Sequence, residues 1–148
     1  MGQFSSIARS TYDAWNNRDF DRFSEPLANG ELVMMGSGEV LKGREGARQF
    51  GEMWATGFPD ARVTIDTVCE SDDMVCVEYT GRGTHTGPLN TPMGTYEPSG
   101  KPVELKLCDC WTFASDGTVK QVRTYFDSGA LLAQIGAIPQ LAGAGVSA

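Results

Sequence analysis

Four segments in the second half of the chain alternate apolar with polar residues, and this alternation most restricts what the chain can fold into. A period of two places every second side chain on one face, as in a β-strand that packs against a core. The segments are 61–71, 72–87, 101–113 and 118–127. The sequence "ASDGT" between the last two predicts a hairpin turn. We therefore expect a run of antiparallel strands.

The first half is predicted to be mainly helical. Apolar residues recur every three or four positions over residues 4–17 and again from residue 43 to Gly57. Asp19 is suited to cap a short helix between them, and residues 31–38 favour a short strand that ends in glycines. Helices followed by antiparallel strands predict an α+β fold in which helices cover one face of a sheet.

The length and charge of the chain limit its class. At 148 residues it suits one domain, which we place at residues 1–138, with a flexible tail over 139–148. The net charge of −7 and the absence of a basic run argue against nucleic acid and anionic membranes as partners. No apolar run approaches the roughly 18 residues of a membrane span. Because a signal-peptide layout is also missing, we predict a cytoplasmic protein.

Cysteine and histidine usage argues against a metal site. The four cysteines, Cys69, Cys76, Cys108 and Cys110, form no CxxC pair, and His85 is the single histidine. A zinc site would therefore need an unusual set of ligands. Each cysteine lies in a strand-like apolar run, so we predict buried, reduced thiols. Since no nucleotide-binding glycine motif is present either, we expect neither a metal nor an organic cofactor.

The hairpin turn decides which side chains share the inner face of the sheet. A three-residue loop "SDG" would pair Phe113 with Val119 and Asp109 with Arg123. It would also place Asp127 on the same face as Asp109, whereas a two-residue loop would reverse this parity. Every other inward position of segment 101–113 is hydrophobic, which makes Asp109 the exception on that face.

A small-molecule pocket is the expected use of this face. Under the three-residue loop, polar side chains converge among Trp, Phe, Leu and Val, which is the usual make-up of a ligand pocket. These polar residues are His85, Asp109, Arg123, Tyr125 and Asp127. If Arg123 pairs with Asp109, that carboxylate stays ionised and becomes structural.

Two long stretches of the chain resemble the SnoaL-like polyketide cyclase and ester cyclase family of the nuclear transport factor 2-like superfamily. They are "YTGRGTHTGPL", residues 79–89, and residues 99–136, which include "GKPV", the "DG" hairpin and the ending "YFDSGALLAQIG". Residues 11–23 and 43–50 are similar to the superfamily's opening helices. The resemblance implies a cone-shaped α+β fold of the cystatin-like type, in which a curved antiparallel sheet and helices surround one apolar pocket. It implies no cofactor.

The resemblance also implies roles for particular residues. In cyclases of this type an Asp at the "YFD" position is the general acid/base of an intramolecular aldol ring closure, and that position is Asp127 here. His85 is the candidate for an assisting histidine from a neighbouring strand. A simpler reading of Asp127 is that it only caps the last helix, and a simpler reading of His85 is a hydrogen-bonded strand residue.

A second resemblance concerns ketosteroid isomerases. "DCWTF" is similar to the strand that bears their oxyanion-hole Asp, which corresponds to Asp109, and Tyr12 matches the Tyr on their first helix. The region of the isomerase base offers Met34, Met35 and Gly36, none of which titrates, so this chain departs from the isomerases at their base but is compatible with the same pocket geometry. An apolar pocket would still raise the pKa of a carboxyl group toward neutrality, as a general base requires.

We therefore predict a cofactor-free cyclase or isomerase that acts on a ketone-bearing, polyketide-like molecule. The alternatives are a carrier that binds an apolar molecule without reaction, an adaptor domain, and a ketosteroid-isomerase-like or hydrolase activity in the same pocket. Asp127, Asp109 and His85 are the predicted catalytic residues. The predicted substrate-binding residues are Tyr12, Trp15, Trp54, Tyr79, Leu107, Trp111, Arg123 and Tyr125. We also expect a homodimer through an outer stripe of Val122, Thr124 and Phe126, and a non-strand loop at 90–100.

Overall fold

The computed structural model describes residues 2–138, so the tail predicted over residues 139–148 lies outside the described residues. The helices are α1 (Gln3–Asn16), α2 (Phe20–Ser24), α3 (Gly43–Gly57) and α4 (Ser128–Gln134), with a 3₁₀ turn at Glu25–Leu27 after α2. The strands are β1 (Glu31–Met34), β2 (Glu39–Lys42), β3 (Arg62–Ser71), β4 (Met74–Thr84), β5 (Leu89–Thr91), β6 (Gly94–Tyr96), β7 (Pro102–Phe113) and β8 (Val119–Phe126). None of the helices over these residues has the length and apolarity needed to span a membrane.

The predicted α+β class is confirmed. Six strands form one sheet in the order β2-β1-β8-β7-β4-β3, antiparallel throughout except that β1 runs parallel to β8. Bulges in the β3–β4 and β7–β8 ladders curve the sheet. Helices α1 to α3 pack on its concave face, where the main hydrophobic core joins helix and strand residues. Asp19 caps α2 as predicted, since its Oδ1 accepts from the backbone N–H of Arg22 at 3.1 Å.

Short strands were the elements that the sequence pattern missed. The prediction that residues 90–100 contain no strand is wrong, because β5 and β6 form a two-stranded hairpin there. Gly94 closes that hairpin with φ +130°, a conformation that glycine adopts without strain. The strand predicted at 31–38 ends at Met34, where the N–H of Gly38 donates to the carbonyl of Met34 and forms a turn into β2.

The hairpin loop between β7 and β8 is the three-residue form that the sequence predicts. The N–H of Ala114 donates to the carbonyl of Thr118 at 2.7 Å, Gly117 has φ +88°, and Phe113 pairs with Val119. One step further into the ladder, however, a β-bulge inserts an extra residue into β8. A bulge of this kind cannot be deduced from the turn.

The bulge reverses the predicted faces of β8. Asp109 pairs with Thr124 instead of Arg123, and Arg123 pairs with Cys110. Thr124 is therefore fully buried on the inner face, while Arg123 and Tyr125 point to the outer face. The prediction that Arg123, Tyr125 and Asp127 share the inner face with Asp109 is wrong, because one inserted residue moves every later side chain across the sheet.

The cysteines lie on the outer face of the sheet, as the alternation with Asp109 predicts for Cys108 and Cys110. Cys76 Sγ is 3.5 Å from Cys110 Sγ, and all four thiols are free. Their predicted burial is only partly right, because Cys69 is exposed and the others are half-buried. Within residues 2–138, no group of His, Cys, Asp and Glu side chains is arranged to hold a metal ion.

The homodimer stays a prediction, but the residues expected to form its interface do not lie on the outer surface. The expected outer stripe of Val122, Thr124 and Phe126 faces the interior, and the outer surface instead exposes Tyr125 and Met35 to about 41% and 40%. Apolar surface of this kind favours self-association. Light scattering at micromolar concentration should give twice the 15.9 kDa chain mass. A monomer at that concentration would contradict the prediction.

Candidate active site

A cavity of about 100 Å³ lies between the concave face of the sheet and helices α1 to α3. Its wall is largely apolar and combines residues of the three helices with the inward positions of β3, β4 and β7. Seven of the predicted site residues line it: Tyr12, Trp15, Trp54, Tyr79, Leu107, Asp109 and Trp111. Four others, His85, Arg123, Tyr125 and Asp127, do not.

Helical and strand periodicity place the polar groups of this cavity. Tyr12 and Trp15 lie one turn apart on the buried face of α1. Tyr79 and Asp109 lie on the same face of neighbouring strands, since Asp109 pairs with Val77 two residues before Tyr79. Trp15 Nε1 donates to the carbonyl of Gly51 at 3.0 Å and so ties α1 to α3.

A hydrogen-bonded network surrounds Asp109. The Tyr12 hydroxyl donates to Oδ2 of Asp109 at 2.7 Å, and the Tyr79 hydroxyl donates to Oδ1 at 3.1 Å. Trp111 Nε1 donates to the Tyr12 hydroxyl oxygen at 3.1 Å. Both carboxylate oxygens are therefore held in place, with one tyrosine on each, before any ligand binds.

Burial dominates the electrostatics of Asp109. Desolvation raises its pKa from 3.8 to about 6, and the hydroxyls of Tyr12, Thr124 and Tyr79 offset part of this rise. Thr124 Oγ1 lies near the carboxylate, although no hydrogen bond of ordinary geometry joins them. Burial, together with the charge of Asp109, raises the pKa of both tyrosines well above the ordinary value, so their hydroxyls stay protonated at neutral pH.

Arg123 does not neutralise Asp109. Its guanidinium donates on the outer face to Gln121 Oε1 at 2.9 Å and to Thr112 Oγ1 at 3.3 Å. The alternative in which an Asp109–Arg123 ion pair is purely structural is therefore wrong. Asp109 is a buried carboxyl whose partners are all neutral hydroxyls, which suits a group that gains and loses a proton near neutral pH.

Asp127 has the simpler of its two predicted positions, at the N-cap of α4. Its Oδ1 accepts from the backbone N–H of Ala130 at 3.0 Å. It lies beside a depression on the outer face of the sheet, together with Asp66, Glu78 and Lys106. The pocket-face placement of Asp127 was wrong for the same reason as that of Arg123, since both followed from a ladder without a bulge.

His85 is fully buried just beyond the end of β4. Its Nδ1 accepts from the backbone N–H of Ser99 at 3.2 Å and lies 3.0 Å from Ser99 Oγ, so a neutral ring carries its proton on Nε2. Its ring centroid lies 5.3 Å from that of Phe58, which is itself buried among apolar side chains. This environment fits the hydrogen-bonded structural alternative.

Several apolar wall residues were absent from the predicted site. They are Phe23, Leu27, Leu32, Phe50, Phe58 and Val122. The periodicity of the helices marked Phe23, Leu27 and Phe50 as buried, but it cannot separate a cavity wall from a solid core. That separation depends on where small residues leave space, and Gly81 on β4 is one such position in the wall.

Gly81 gives a testable measure of the cavity. A Cβ built there would meet Leu107 and Val63 side-chain atoms at 3.8 Å, an ordinary contact. We expect Gly81→Ala to stabilise the fold by about 0.5–1 kcal/mol, because glycine weakens a strand, and to weaken ligand binding by filling the cavity. Gly83→Ala is the matched control, since its Cβ would lie 2.7 Å from Ala61 Cβ and should destabilise. Equal destabilisation of both variants in thermal denaturation would contradict this description.

Solved structures share the fold over most of the chain. A protein assigned as a SnoaL-like polyketide cyclase from Jannaschia sp. CCS1 matches with a TM-score of 0.80 and 26% identity, over 93% of this chain and 94% of its own. IdmH from Streptomyces antibioticus, assigned as a polyketide cyclase, matches with a TM-score of 0.73 and 25% identity, over 91% and 99%. A Catenulispora acidiphila DSM 44928 protein with a ketosteroid isomerase-like fold matches with a TM-score of 0.71 and 19% identity, over 88% and 92%.

The comparison of protein families extends this likeness from fold to family. Curated proteins give no match to the chain. The ketosteroid isomerase-like fold of the Catenulispora protein agrees with the curved sheet and the helices packed on its concave face described above. The family model described as SnoaL-like polyketide cyclase matches residues 5–135, and the protein therefore belongs to this family.

Proposed function

We propose that this protein is a cofactor-free cyclase or isomerase in which Asp109 transfers a proton at the carbon next to a ketone. One observation carries the proposal: within residues 2–138, Asp109 is the only carboxylate in the cavity wall, and its pKa of about 6 suits a general base at neutral pH. The cyclase relatives from Jannaschia sp. CCS1 and Streptomyces antibioticus support this reaction class.

The reaction follows from the protonation states of the network. The ionised carboxylate of Asp109 accepts the α-proton of the ketone, and the electrons of the broken C–H bond form an enolate. The enolate carbon attacks a second carbonyl carbon of the same molecule, which closes a ring through a new C–C bond. Protonated Asp109 then returns its proton to the resulting alkoxide. The step needs no oxidant or reductant. Asp109 ends ionised, as it began, because it has returned the proton that it accepted.

Tyr12 and Tyr79 position the base in this scheme. Their hydroxyls hold the two carboxylate oxygens at 2.7 and 3.1 Å. They lower the pKa of Asp109 against the larger effect of burial, so that it rises only to about 6. Their own raised pKa values prevent them from giving up their protons to the carboxylate.

We assign the proton transfer to Asp109 instead of Asp127 because only Asp109 lies in the cavity wall. Apart from Asp109 the wall holds no unpaired charge, since Arg82 is paired with Glu104 at 2.8 Å, and this favours an uncharged substrate. A ketone-bearing, largely apolar molecule of the polyketide type fits these conditions. A carrier that only binds such a molecule would share the cavity but would not need the base.

Deuterium exchange tests the chemistry without knowledge of the natural substrate. Cyclohexanone and 1-tetralone, incubated with the protein in D₂O, should gain deuterium at the α-carbon faster than in buffer alone, as followed by proton NMR. Because the base must be ionised, the protein-dependent rate should rise with pH through about 6 and then level off. Exchange of both ketones no faster than in buffer would favour the carrier.

A further inference from the structure

The three tryptophans of the chain all line the cavity, but only two of them have hydrogen-bond partners. Trp15 Nε1 donates to the Gly51 carbonyl, and Trp111 Nε1 donates to the Tyr12 hydroxyl. Trp54 Nε1 is buried and has no partner. A buried indole N–H usually finds an acceptor, so an unpaired one in a cavity wall points to an acceptor that a ligand supplies.

The other polar side chains of the wall are already engaged. The hydroxyls of Tyr12 and Tyr79 donate to Asp109. Thr11 Oγ1 donates to the Ile7 carbonyl at 2.9 Å. Together with the two bonded tryptophans, and with Arg82 paired at the exposed rim, these contacts leave the Trp54 N–H as the buried donor without a partner among the described lining residues.

Among the side chains of residues 2–138, two further buried polar atoms lack partners, but neither belongs to the cavity wall. They are His85 Nε2, on a ring beside Phe58, and Thr124 Oγ1, on the β8 residue that pairs with Asp109. Trp54 differs from both because its residue forms part of the wall. A ligand in the cavity can therefore contact Trp54 without any rearrangement of the sheet.

Aromatic neighbours fix the Trp54 ring and explain its unpaired N–H. Phe126 meets the ring edge-on at 5.5 Å between centroids, Phe58 stacks at 6.2 Å, and Phe50 meets it edge-on at 6.3 Å. None of these side chains offers a hydrogen-bond acceptor. The N–H is consequently held in place by packing, as a donor that is meant to stabilise developing charge must be.

We propose that the indole N–H of Trp54 binds the carbonyl oxygen of the ketone whose α-proton Asp109 removes. This inference rests on the proposed function. It adds the hydrogen-bond donor for the ketone oxygen, on which negative charge collects as the enolate forms. With both tyrosine hydroxyls directed at Asp109, another donor must meet that oxygen. An indole N–H donates without titrating near neutral pH, so it can act while Asp109 is ionised.

The substrate class narrows accordingly. The ketone oxygen points to the α3 side of the cavity, toward Trp54, and the α-carbon points to the sheet, toward Asp109. The rest of the molecule lies against apolar wall. A compound of the same shape without the oxygen should therefore bind more weakly to the wild-type protein, and that difference should depend on Trp54.

The experiment compares Trp54→Phe with wild type in binding two matched pairs of probes. The pairs are 1-tetralone with tetralin, and cyclohexanone with methylenecyclohexane, measured by titration in NMR or calorimetry at pH 7.5. In wild type the ketone of at least one pair should bind about tenfold more tightly than its hydrocarbon, which is the value of one net hydrogen bond. Trp54→Phe should remove this preference while it leaves hydrocarbon affinity nearly unchanged.

Trp15→Phe is the matched control. It removes an N–H that has a partner, so it should lower thermal stability by breaking the hydrogen bond that ties α1 to α3, yet keep the ketone preference. Trp54→Phe should not lower stability by this route, since its N–H has no partner in the free protein. A purely structural role for Trp54 would change the affinities for ketone and hydrocarbon equally.

The outcomes separate this inference from the proposed function. No ketone preference in wild type for either pair, or a preference that survives Trp54→Phe, overturns the inference whether or not deuterium exchange occurs. A preference that Trp54→Phe removes, in a protein that exchanges no α-protons, supports the Trp54 contact and contradicts the role of Asp109. Asp109→Asn should keep the preference and lose the exchange, because it leaves the Trp54 N–H in place.

Discussion

Asp109→Asn is expected to lose at least about 100-fold in the rate of α-proton exchange or ring closure, the lower end of what a general acid/base contributes. The carboxamide has nearly the same shape as the carboxyl group but cannot accept a proton at neutral pH. Its oxygen can still accept from one tyrosine, so the side chain stays in the network with Tyr12 and Tyr79. The loss of rate is measured by proton NMR, which follows the incorporation of deuterium at the α-carbon of the ketone in D₂O.

Asp127→Asn is the control for this prediction. Asn caps a helix about as well as Asp, so the hydrogen bond to the backbone N–H of Ala130 should persist, and both rate and stability should stay near those of wild type. If Asp127→Asn loses exchange and Asp109→Asn retains it, the proton transfer belongs to Asp127. If both variants retain it, neither Asp109 nor Asp127 is the base, and the proposed role of Asp109 is contradicted.

Much of the fold could be predicted because its long elements have strong periodicity. Four long strands and two long helices were predicted within a few residues of their observed bounds. The short strands β2, β5 and β6 were not, since three or four residues are too few to show alternation. The bulge in β8 caused the main error in the predicted site, because one unpaired residue exchanged the faces of Arg123 and Thr124.

The candidate site was predictable where one residue broke a pattern. Asp109 stood out as the polar exception on an apolar strand face, and Tyr12 and Tyr79 were chosen with it. What the sequence could not reveal is the partner of each polar atom, which depends on tertiary distances. The paired N–H groups of Trp15 and Trp111 look the same in sequence as the unpaired N–H of Trp54.

The pH dependence of stability gives the second large effect, and it follows from the raised pKa of Asp109. In the unfolded chain this carboxyl titrates near its ordinary value of 3.8, and in the folded protein near 6. The folded state therefore binds the proton more tightly. Its stabilising contribution is full below about pH 4 and is lost as the pH rises through about 6. A rise of this size corresponds to about 3 kcal/mol.

Asp109→Asn should accordingly be more stable than wild type at pH 8, where wild type keeps a buried charge. The lost hydrogen bond to one tyrosine reduces the gain by about 1 kcal/mol, so we expect a net gain of about 2 kcal/mol in the free energy of unfolding. Below about pH 4 the carboxyl is neutral in both the folded and the unfolded wild type, and the advantage should vanish. Urea denaturation at several pH values measures the difference between the two proteins.

That difference isolates Asp109 from the other acids. Hydrogen bonds lower the pKa values of Asp60, Glu70 and Asp116, so their contributions have the opposite sign and are lost as the pH falls. These three groups are the same in wild type and Asp109→Asn, and they cancel when the two stability curves are subtracted. A difference that stays constant from pH 4 to 8 would mean that the folded protein does not raise the pKa of Asp109. If Asp109→Asn instead becomes more stable than wild type as the pH rises, and also loses exchange, then the carboxylate that acts as the base lowers the stability of the wild-type fold.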